Sequence, residues 1–254
     1  MSAAYYNEID PYAAQWLRNL IAAGHIAPGD VDERSIVDVH PDDLKGYTQC
    51  HFFAGIGGWS IALRLAGWPD DRPVWTGSCP CQPFSVGSVA HGGAKGQSDE
   101  RHLWPTFYGL IEERSPPVIF GEQVADAIGW GWLDSAAWDL ESQDYACAAT
   151  VLRASGFNAR HHRKRLYWMA DASGPGRQRH NPIERVSVPK APALPVYGDP
   201  LADAGRALDG DYSDILPCDG VSVAVERLAA KGYGNAIVPQ VAAEVISAYM
   251  EIAS

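Results

Sequence analysis

The chain has 254 residues, of which 46% are hydrophobic and 20% charged. This composition is typical of a globular protein with a sizeable core, and it argues against the disordered, fibrous and disulfide-scaffold classes. No stretch approaches the roughly 18 consecutive apolar residues of a membrane span, and the first residues lack the basic and apolar regions of a signal peptide. We therefore expect a cytoplasmic protein, in the host cytoplasm if the chain is viral, with no membrane partner.

The charge is distributed unevenly along the chain. The formal net charge of −11 is unfavourable for binding a polyanion. Between positions 153 and 190, however, nine basic residues accompany only two acidic ones, a net of +7, so the rest of the chain carries −18. This polarity is expected of an enzyme that grips nucleic acid with one face, and a solvated basic stretch is the alternative.

The cysteines predict free thiols rather than disulfides. There are five of them, an odd number in a chain without an export signal. They are Cys50, Cys79, Cys81, Cys147 and Cys218. Any one of them is therefore available for chemistry.

The first part of the chain alternates predicted strands and helices. We predict a strand over 3–9, a helix over 11–23 with Asp10 as its N-cap, and a second strand over 25–31. A strand over 47–55 then ends in a glycine turn, followed by a helix over 59–67 and a strand over 74–78. A long loop rich in glycine and serine follows at 79–100.

The alternation continues to the C-terminus. We predict helices over 104–113 and 133–152, strands over 116–124 and 165–170, and a final helix in which Val241, Val245, Ile246 and Tyr249 pack on the core. Apolar strands between helices predict an α/β fold with a doubly wound, mainly parallel sheet. The segment 172–217 is rich in Pro, Gly and Arg and fits a small irregular subdomain.

The glycine turn is a candidate ligand site. Gly55, Gly57 and Gly58 stand between a strand and a helix, where missing side chains let a ligand approach the backbone. Ser60 occupies the place of the third glycine of a dinucleotide fingerprint. A structural turn and a nicotinamide or flavin site are therefore alternatives.

The loop Cys79-Pro80-Cys81-Gln82 carries a candidate nucleophile. It follows a predicted parallel strand, at the edge of the sheet where open α/β proteins bind ligands. Metal ligation by the two thiols is the alternative, but no second pair of ligands follows at zinc spacing. We expect no metal.

Two further groups are expected at the same edge. Glu122 ends the following strand, where a buried carboxyl can exchange protons with a substrate near Cys81; a helix N-cap is its alternative role. In the next basic strand, alternation sends Arg163 and Arg165 to one face and Lys164 to the other. That face suits a base or a phosphate, and an exposed basic edge strand is the alternative.

Six segments, in order along the chain, resemble the motifs of the cytosine-C5 DNA methyltransferase family. They are FAGIGG, GSCPCQPFS, DERHLWP, GEQV, RKRLYW and GYGNAIVP. The resemblance covers about residues 5–171 and 231–250. It implies a Rossmann-like methyltransferase domain formed by residues 1–171 and 231–254, with a small target-recognition region at 172–230.

The order of the cofactor segments departs from the family pattern. Only about fifteen residues separate the glycine turn from the next strand, too few for the two cofactor-binding units that the family places there. Similar segments stand at the N-terminus instead, with Glu8 as the ribose-binding acid and Asp30 as the adenine-binding acid. If the glycine-turn strand lies beside the strand leading to Cys81, the rearrangement preserves the pocket.

The resemblance implies a reaction and its catalytic residues. The Cys81 thiolate would add to C6 of a flipped-out cytosine, and C5 would then take a methyl group. Glu122 would bind the N3 and N4 edge, and Arg165 the base carbonyl, with Arg163 nearby. Gln123 replaces the family's usual Asn beside this acid, and Arg160-His161 replace a usual Pro-Gln.

The resemblance also implies the ligands. The methyl donor would be S-adenosylmethionine, leaving S-adenosylhomocysteine, and the nucleic-acid partner would be double-stranded DNA. Separately from the resemblance, we expect a monomer. The cofactor would contact Glu8, Ile9, Asp30, Val31, Phe53, Gly55, Ile56, Gly58, Pro80, Asn235 and Ala236. DNA would contact Gln82, Ser85, Arg160, Arg177 and Arg179.

Three other functions stay open on the sequence. A tRNA cytosine-C5 methyltransferase would use the same catalytic residues with a different basic face. A non-catalytic nucleic-acid-binding homologue would be expected to lack Cys81 or Glu122, and both are present. The same thiol adduct would also accept a group from another donor. A restriction companion, a viral self-protection enzyme and an orphan regulator are equally compatible with the chain.

Overall fold

The computed structural model of the chain describes residues 3–80, 103–157, 163–172 and 236–253. Its strands are β1 (Ala3–Asn7), β2 (Gly29–Asp32), β3 (Tyr47–Phe52), β4 (Val74–Gly77), β5 (Val118–Val124), β6 (Ala146–Arg153) and β7 (Lys164–Asp171). Its helices are α1 (Pro11–Ala22), α2 (Gly58–Leu65), α3 (Trp104–Arg114), α4 (Trp132–Ser142) and α5 (Pro239–Ile252).

The seven strands form one sheet in the order β2-β1-β3-β4-β5-β7-β6. Strands β1 to β5 pair in parallel, whereas β7 runs antiparallel to both β5 and β6. This arrangement confirms the predicted α/β fold with a mainly parallel sheet. Among the described helices, none is long and apolar enough to cross a membrane.

The sheet places the two N-terminal units beside the glycine-turn strand. Strand β1 pairs with β3 in parallel, with Asn7 opposite Phe52, and β2 lies outside β1. On its other side, β3 pairs with β4, the strand that leads toward Cys81. The neighbours that the rearranged order requires are therefore present in the fold, although β1 and β2 come first in the chain.

Two apolar layers cover the sheet. On one side, α3 and α4 contribute an aromatic cluster in which Trp104 contacts Phe107, Trp132 and Trp168. On the other side, α2 and α5 pack against each other and against β5, burying Trp59, Trp68, Phe120 and Tyr249. The predicted core residues of the last helix are confirmed, with Val241, Ile246 and Tyr249 buried and Val245 partly buried.

Three local predictions from the sequence can be compared with the structure. The Asp10 carboxylate accepts hydrogen bonds from the backbone N–H groups of Tyr12 and Ala13, so the predicted N-cap of α1 is confirmed. The predicted strand over 25–31 is shorter in the structure, because only Gly29–Asp32 pair with β1. Of the five cysteines, the three within the described residues are free thiols, as expected.

The predicted helix over 133–152 is wrong in its second half. Helix α4 ends at Ser142, and residues Ala146–Arg153 form β6. Asp144 adopts a left-handed conformation with φ 66°, which ends the helix and turns the chain back to the sheet. The edge-strand alternative for the basic segment is also wrong, because β7 lies between β5 and β6.

A buried histidine lies between β1 and β4. The His51 ring stacks on Tyr6 with centroids 4.9 Å apart, and its Nδ1 lies 2.8 Å from Oγ1 of Thr76. Burial lowers the pKa of His51 from 6.5 to about 3, because the core cannot solvate the imidazolium. The imidazole is therefore neutral in the folded protein at physiological pH.

This histidine should make the fold sensitive to acid. The unfolded chain binds a proton at His51 below pH 6.5 and the folded chain does not until about pH 3, so stability falls as the pH drops through that window. Between pH 7.5 and 5.0, we expect the free energy of unfolding of His51→Leu to fall by about 2 kcal/mol less than that of the wild type. Urea unfolding of both proteins at the two pH values measures this, and equal losses in both would contradict it.

Candidate active site

A cleft of about 570 Å³ opens at the carboxyl ends of the parallel strands. Its walls come from the segments that follow β1, β3 and β4 and from the end of β5. Many of the residues singled out from the sequence line it together: Glu8, Ile9, Phe53, Gly55, Ile56, Pro80, Glu122, Arg163, Arg165 and Ala236. Parallel strands place their loops on one edge, which is why residues so distant in sequence meet there.

Glu122 is held at the end of β5 by two arginines. Nε of Arg165 lies 2.8 Å from Oε1 of Glu122, and a terminal nitrogen of Arg163 lies 4.0 Å from the same oxygen. The antiparallel register sets Arg165 opposite Val124, two residues beyond Glu122. Arg163 and Arg165 thus share one side of the chain while Lys164 is exposed, as alternation predicts.

The electrostatic balance at Glu122 favours proton exchange. Its side chain is only 9% exposed, and burial raises the pKa of the carboxyl while Arg165 and Arg163 oppose that rise. A buried carboxyl beside two guanidinium groups can donate a proton, because the guanidinium groups stabilise the carboxylate that remains. This is the behaviour required of a general acid or base.

Glu8 joins the end of β1 to the glycine turn. Its Oε2 accepts a hydrogen bond of 2.7 Å from the backbone N–H of Gly55, and its Oε1 accepts one of 2.8 Å from that of Asp10. Gly55 has φ 55°, in the left-handed region that glycine adopts readily. Because an ionised carboxylate offers about four acceptor positions, Glu8 can still accept hydrogen bonds from a ligand in the cleft.

Another glycine of this turn, Gly58, serves packing. A Cβ at Gly58 would lie 2.7 Å from Cγ1 of Ile237, so the bare glycine lets the segment before α5 approach α2. This approach brings Ala236 to the cleft, whereas Gly58 itself does not line it.

Two predicted cofactor residues lie elsewhere. Asp30 and Val31 line a separate open groove, where the hydroxyl of Tyr47 donates a 2.8 Å hydrogen bond to Oδ2 of Asp30. From the loop after β2, Ser35 and Ile36 line the main cleft. The contact of Asp30 and Val31 with a cofactor stays a prediction.

Several residues that line the cleft were not predicted from the sequence. Tyr12, Ser35, Ile36, Ser78, Cys79, Leu103 and Gln123 all line the cleft. Ser78, Cys79 and Gln123 follow or end parallel strands, so their position at strand ends was the available signal. Seven predicted site residues lie outside the described part of the chain: Cys81, Gln82, Ser85, Arg160, Arg177, Arg179 and Asn235.

Comparison with known proteins identifies the family. The sequence profile of the C-5 cytosine-specific DNA methylase family matches residues 68–196, half of the chain. The chain belongs to this family. A curated relative, the Type II methyltransferase M.AplI of Arthrospira platensis, is 30% identical over 112 residues, which are 43% of this chain and 30% of the relative. The match thus spans less than a third of that relative's length.

Two Dnmt2 proteins are among the solved structures that match the chain in part. A DNMT2 variant from Spodoptera frugiperda is 16% identical, with a TM-score of 0.45 over 70% of this chain and 45% of that one. The S. pombe Dnmt2 methyltransferase is 15% identical, with a TM-score of 0.42 over 70% of this chain and 53% of that one.

The ion pair predicts a stability effect that depends on pH. Among the described residues, Arg165→Leu leaves Glu122 with the more distant Arg163 as its cationic neighbour, and we expect a loss of about 1–3 kcal/mol at pH 7.5, the usual cost of leaving a buried polar group without its partner. Because burial raises the pKa of Glu122, acid protonates this carboxyl more readily than an exposed one, and the loss should be smaller at pH 4.5. Urea unfolding at both pH values measures the difference.

Lys164→Leu is the matched control, because Lys164 is the exposed neighbour of the same strand. We expect it to change stability by less than about 0.5 kcal/mol. A loss for Arg165→Leu that is the same at both pH values would show that the guanidinium does not act through the charge of Glu122.

Proposed function

We propose that the protein is a DNA methyltransferase that transfers a methyl group from S-adenosylmethionine to C5 of a flipped-out cytosine through a covalent adduct of Cys81. The observation that carries the proposal is the buried Glu122 carboxyl flanked by two guanidinium groups in the same cleft as Glu8. A carboxyl and two arginines match the polar edge of cytosine, which offers an amino group, a ring nitrogen and a carbonyl oxygen.

The residues of the cleft fit S-adenosylmethionine. The volume of about 570 Å³ lies within the 300–1,000 Å³ typical of small-molecule sites. Glu8 would hold the ribose hydroxyls, while Ile9 and Tyr12, 63% and 44% exposed, present apolar surface for the adenine at the rim. Phe53, Gly55, Ile56, Pro80 and Ala236 complete the wall. When bound, the cofactor supplies an electrophilic methyl group on a positively charged sulfur.

The chain's own residues would activate the base. The Cys81 thiolate forms a bond to C6, and the displaced electron pair moves toward N3. Glu122 donates a proton to N3 and accepts a hydrogen bond from the amino group at N4, while Arg165, with Arg163 beside it, binds the carbonyl oxygen. Once C5 is methylated, a base removes the C5 proton, the S–C6 bond breaks, N3 returns its proton to Glu122, and the Cys81 thiolate is released.

The raised pKa of Glu122 supports the proton transfer to N3. Burial raises the pKa of the carboxyl, which makes it a better proton donor at N3 than an exposed carboxylate, and the arginines stabilise the carboxylate that remains. A cytosine stacked in duplex DNA cannot enter this cleft, so it must rotate out of the helix at a cost of a few kcal/mol.

The proposed nucleic-acid partner is double-stranded DNA, contacted by a monomer in the cytoplasm. The nine basic residues between 153 and 190 supply the local positive charge that an otherwise acidic chain needs to bind phosphates. Within that stretch Arg160, Arg177 and Arg179, with Gln82 and Ser85 from the Cys81 loop, are the proposed DNA contacts.

Methyl transfer can be tested directly. The protein is incubated with tritiated S-adenosylmethionine and either unmethylated DNA or tRNA, and modified cytosines are mapped. We expect label on DNA, none with Cys81→Ala, and a rate lower by about 10²–10⁴-fold with Glu122→Gln, the usual contribution of a general acid. Label on tRNA alone would show that tRNA, and not DNA, is the substrate. No label on either nucleic acid would overturn the proposal.

Cys147→Ala is the matched cysteine control, since Cys147 is a free thiol on β6 and does not line the cleft. We expect it to keep the wild-type rate. A substrate with fluorine at C5 has no proton to lose, so it should trap a denaturation-stable protein–DNA adduct in the wild type and in Cys147→Ala but not in Cys81→Ala.

A further inference from the structure

Three residues connect β4 to the loop that carries the proposed nucleophile. Ser78, Cys79 and Pro80 follow the last residue of β4 and line the cleft, and Cys79 is buried. Position 81 comes next in the chain. The direction in which this tripeptide leaves the sheet therefore decides where the loop begins.

Trp59 holds the tripeptide from the helix side. Its Nε1–H donates a 2.9 Å hydrogen bond to Oγ of Ser78. The indole, buried at the start of α2, lies parallel to Phe120 and edge-on to Tyr167, with centroids 6.4 Å away in each case. A ring packed this way has little freedom, so the hydrogen bond fixes the Ser78 side chain.

Gln123 holds the tripeptide from β5. Its Nε2 donates a 3.4 Å hydrogen bond to the carbonyl oxygen of Cys79, and its Oε1 accepts one of 2.9 Å from the backbone N–H of Val124. Gln123 is fully buried and directly follows Glu122 in sequence. The same strand end therefore places the acid and anchors the tripeptide.

We infer that Trp59 and Gln123 are positioning residues, which set the Cys81 nucleophile relative to Glu122 by anchoring Ser78 and Cys79 from two sides. The inference rests on the proposed function. Neither residue needs to touch the substrate, since a displacement of about 1 Å between reacting groups can cost 10²-fold in rate. The two hydrogen bonds come from different elements, Trp59 on α2 and Gln123 on β5. If either is lost, the tripeptide is held at one point only and can change its orientation.

The Trp59–Ser78 bond can be broken from either end. Trp59→Phe keeps an aromatic ring and removes the N–H, while Ser78→Ala removes the acceptor. We expect each to lower kcat for methyl transfer to DNA about tenfold, with KM for S-adenosylmethionine changed less than twofold. The double variant should be no slower than the slower single variant, because both changes remove one interaction.

Gln123→Met tests the second anchor, because methionine has a similar length and no donor. We expect a loss of kcat of similar size, again with KM for S-adenosylmethionine nearly unchanged. Trp68→Phe is the matched control: Trp68 lies in the same core cluster and donates its indole N–H to the backbone oxygen of Arg72, away from the cleft. We expect Trp68→Phe and Trp59→Phe to lower thermal stability to a similar extent, and Trp68→Phe to leave kcat unchanged.

Alkylation of Cys81 by iodoacetamide, measured by peptide mass spectrometry, needs no substrate and is the second readout. The reactivity of a thiol depends on the charges around it, and displacement of the tripeptide would change the position of the thiol relative to them. Alkylation should therefore change at least threefold in Trp59→Phe and Gln123→Met but not in Trp68→Phe. Wild-type kcat and alkylation in those two variants, or equal losses in Trp68→Phe, would overturn the inference. Failure of the wild type to methylate any nucleic acid would instead refute the proposed function, and alkylation would still test the anchors.

Discussion

The antiparallel pairing of β7 with β5 is the constraint on which the site depends. It places Arg165 opposite Val124 and so brings its guanidinium within 2.8 Å of the Glu122 carboxyl. A carboxyl this deeply buried would be costly to ionise alone, and two cations at the same strand end reduce that cost. The pairing also makes β7 an inner strand, which leaves β6 at the edge of the sheet. The contact between Glu122 and Arg165 and the order of the sheet thus both follow from one register.

The rearranged order of the chain leaves this architecture intact because a sheet depends on neighbours in space. Strand β1 precedes β3 by about forty residues, yet it pairs beside it, and the backbone N–H of Ala54 donates to the carbonyl of Asn7 just beyond the paired residues. Glu8 extends the same connection by accepting from Gly55. Two hydrogen bonds thus join the β1 end to the glycine turn, whichever segment comes first in the chain.

The sequence pattern gave a wrong prediction where the same residues are compatible with a helix and with a strand. The apolar residues between 133 and 152 are compatible with a helix throughout, and only the left-handed Asp144 and the open side of β7 make the second half a strand. Asp30 shows a different limit. Its place in a family-like segment predicts a cofactor contact, and only the structure shows that its carboxylate accepts a hydrogen bond from Tyr47 on β3, in a groove separate from the main cleft.

The sequence by itself determined the fold class, the N-cap of α1, the core face of the last helix and the identity of Glu8, Glu122, Arg163 and Arg165 as cleft residues, because each rests on local periodicity or on a motif at a strand end. Only the tertiary structure decided which oxygen each arginine approaches, that Gly58 makes room for Ile237, and that Trp59 and Gln123 hold the chain before Cys81. These are contacts between elements distant in sequence. They depend on how helices and strands pack, and the spacing of residues along a single chain does not encode such distances.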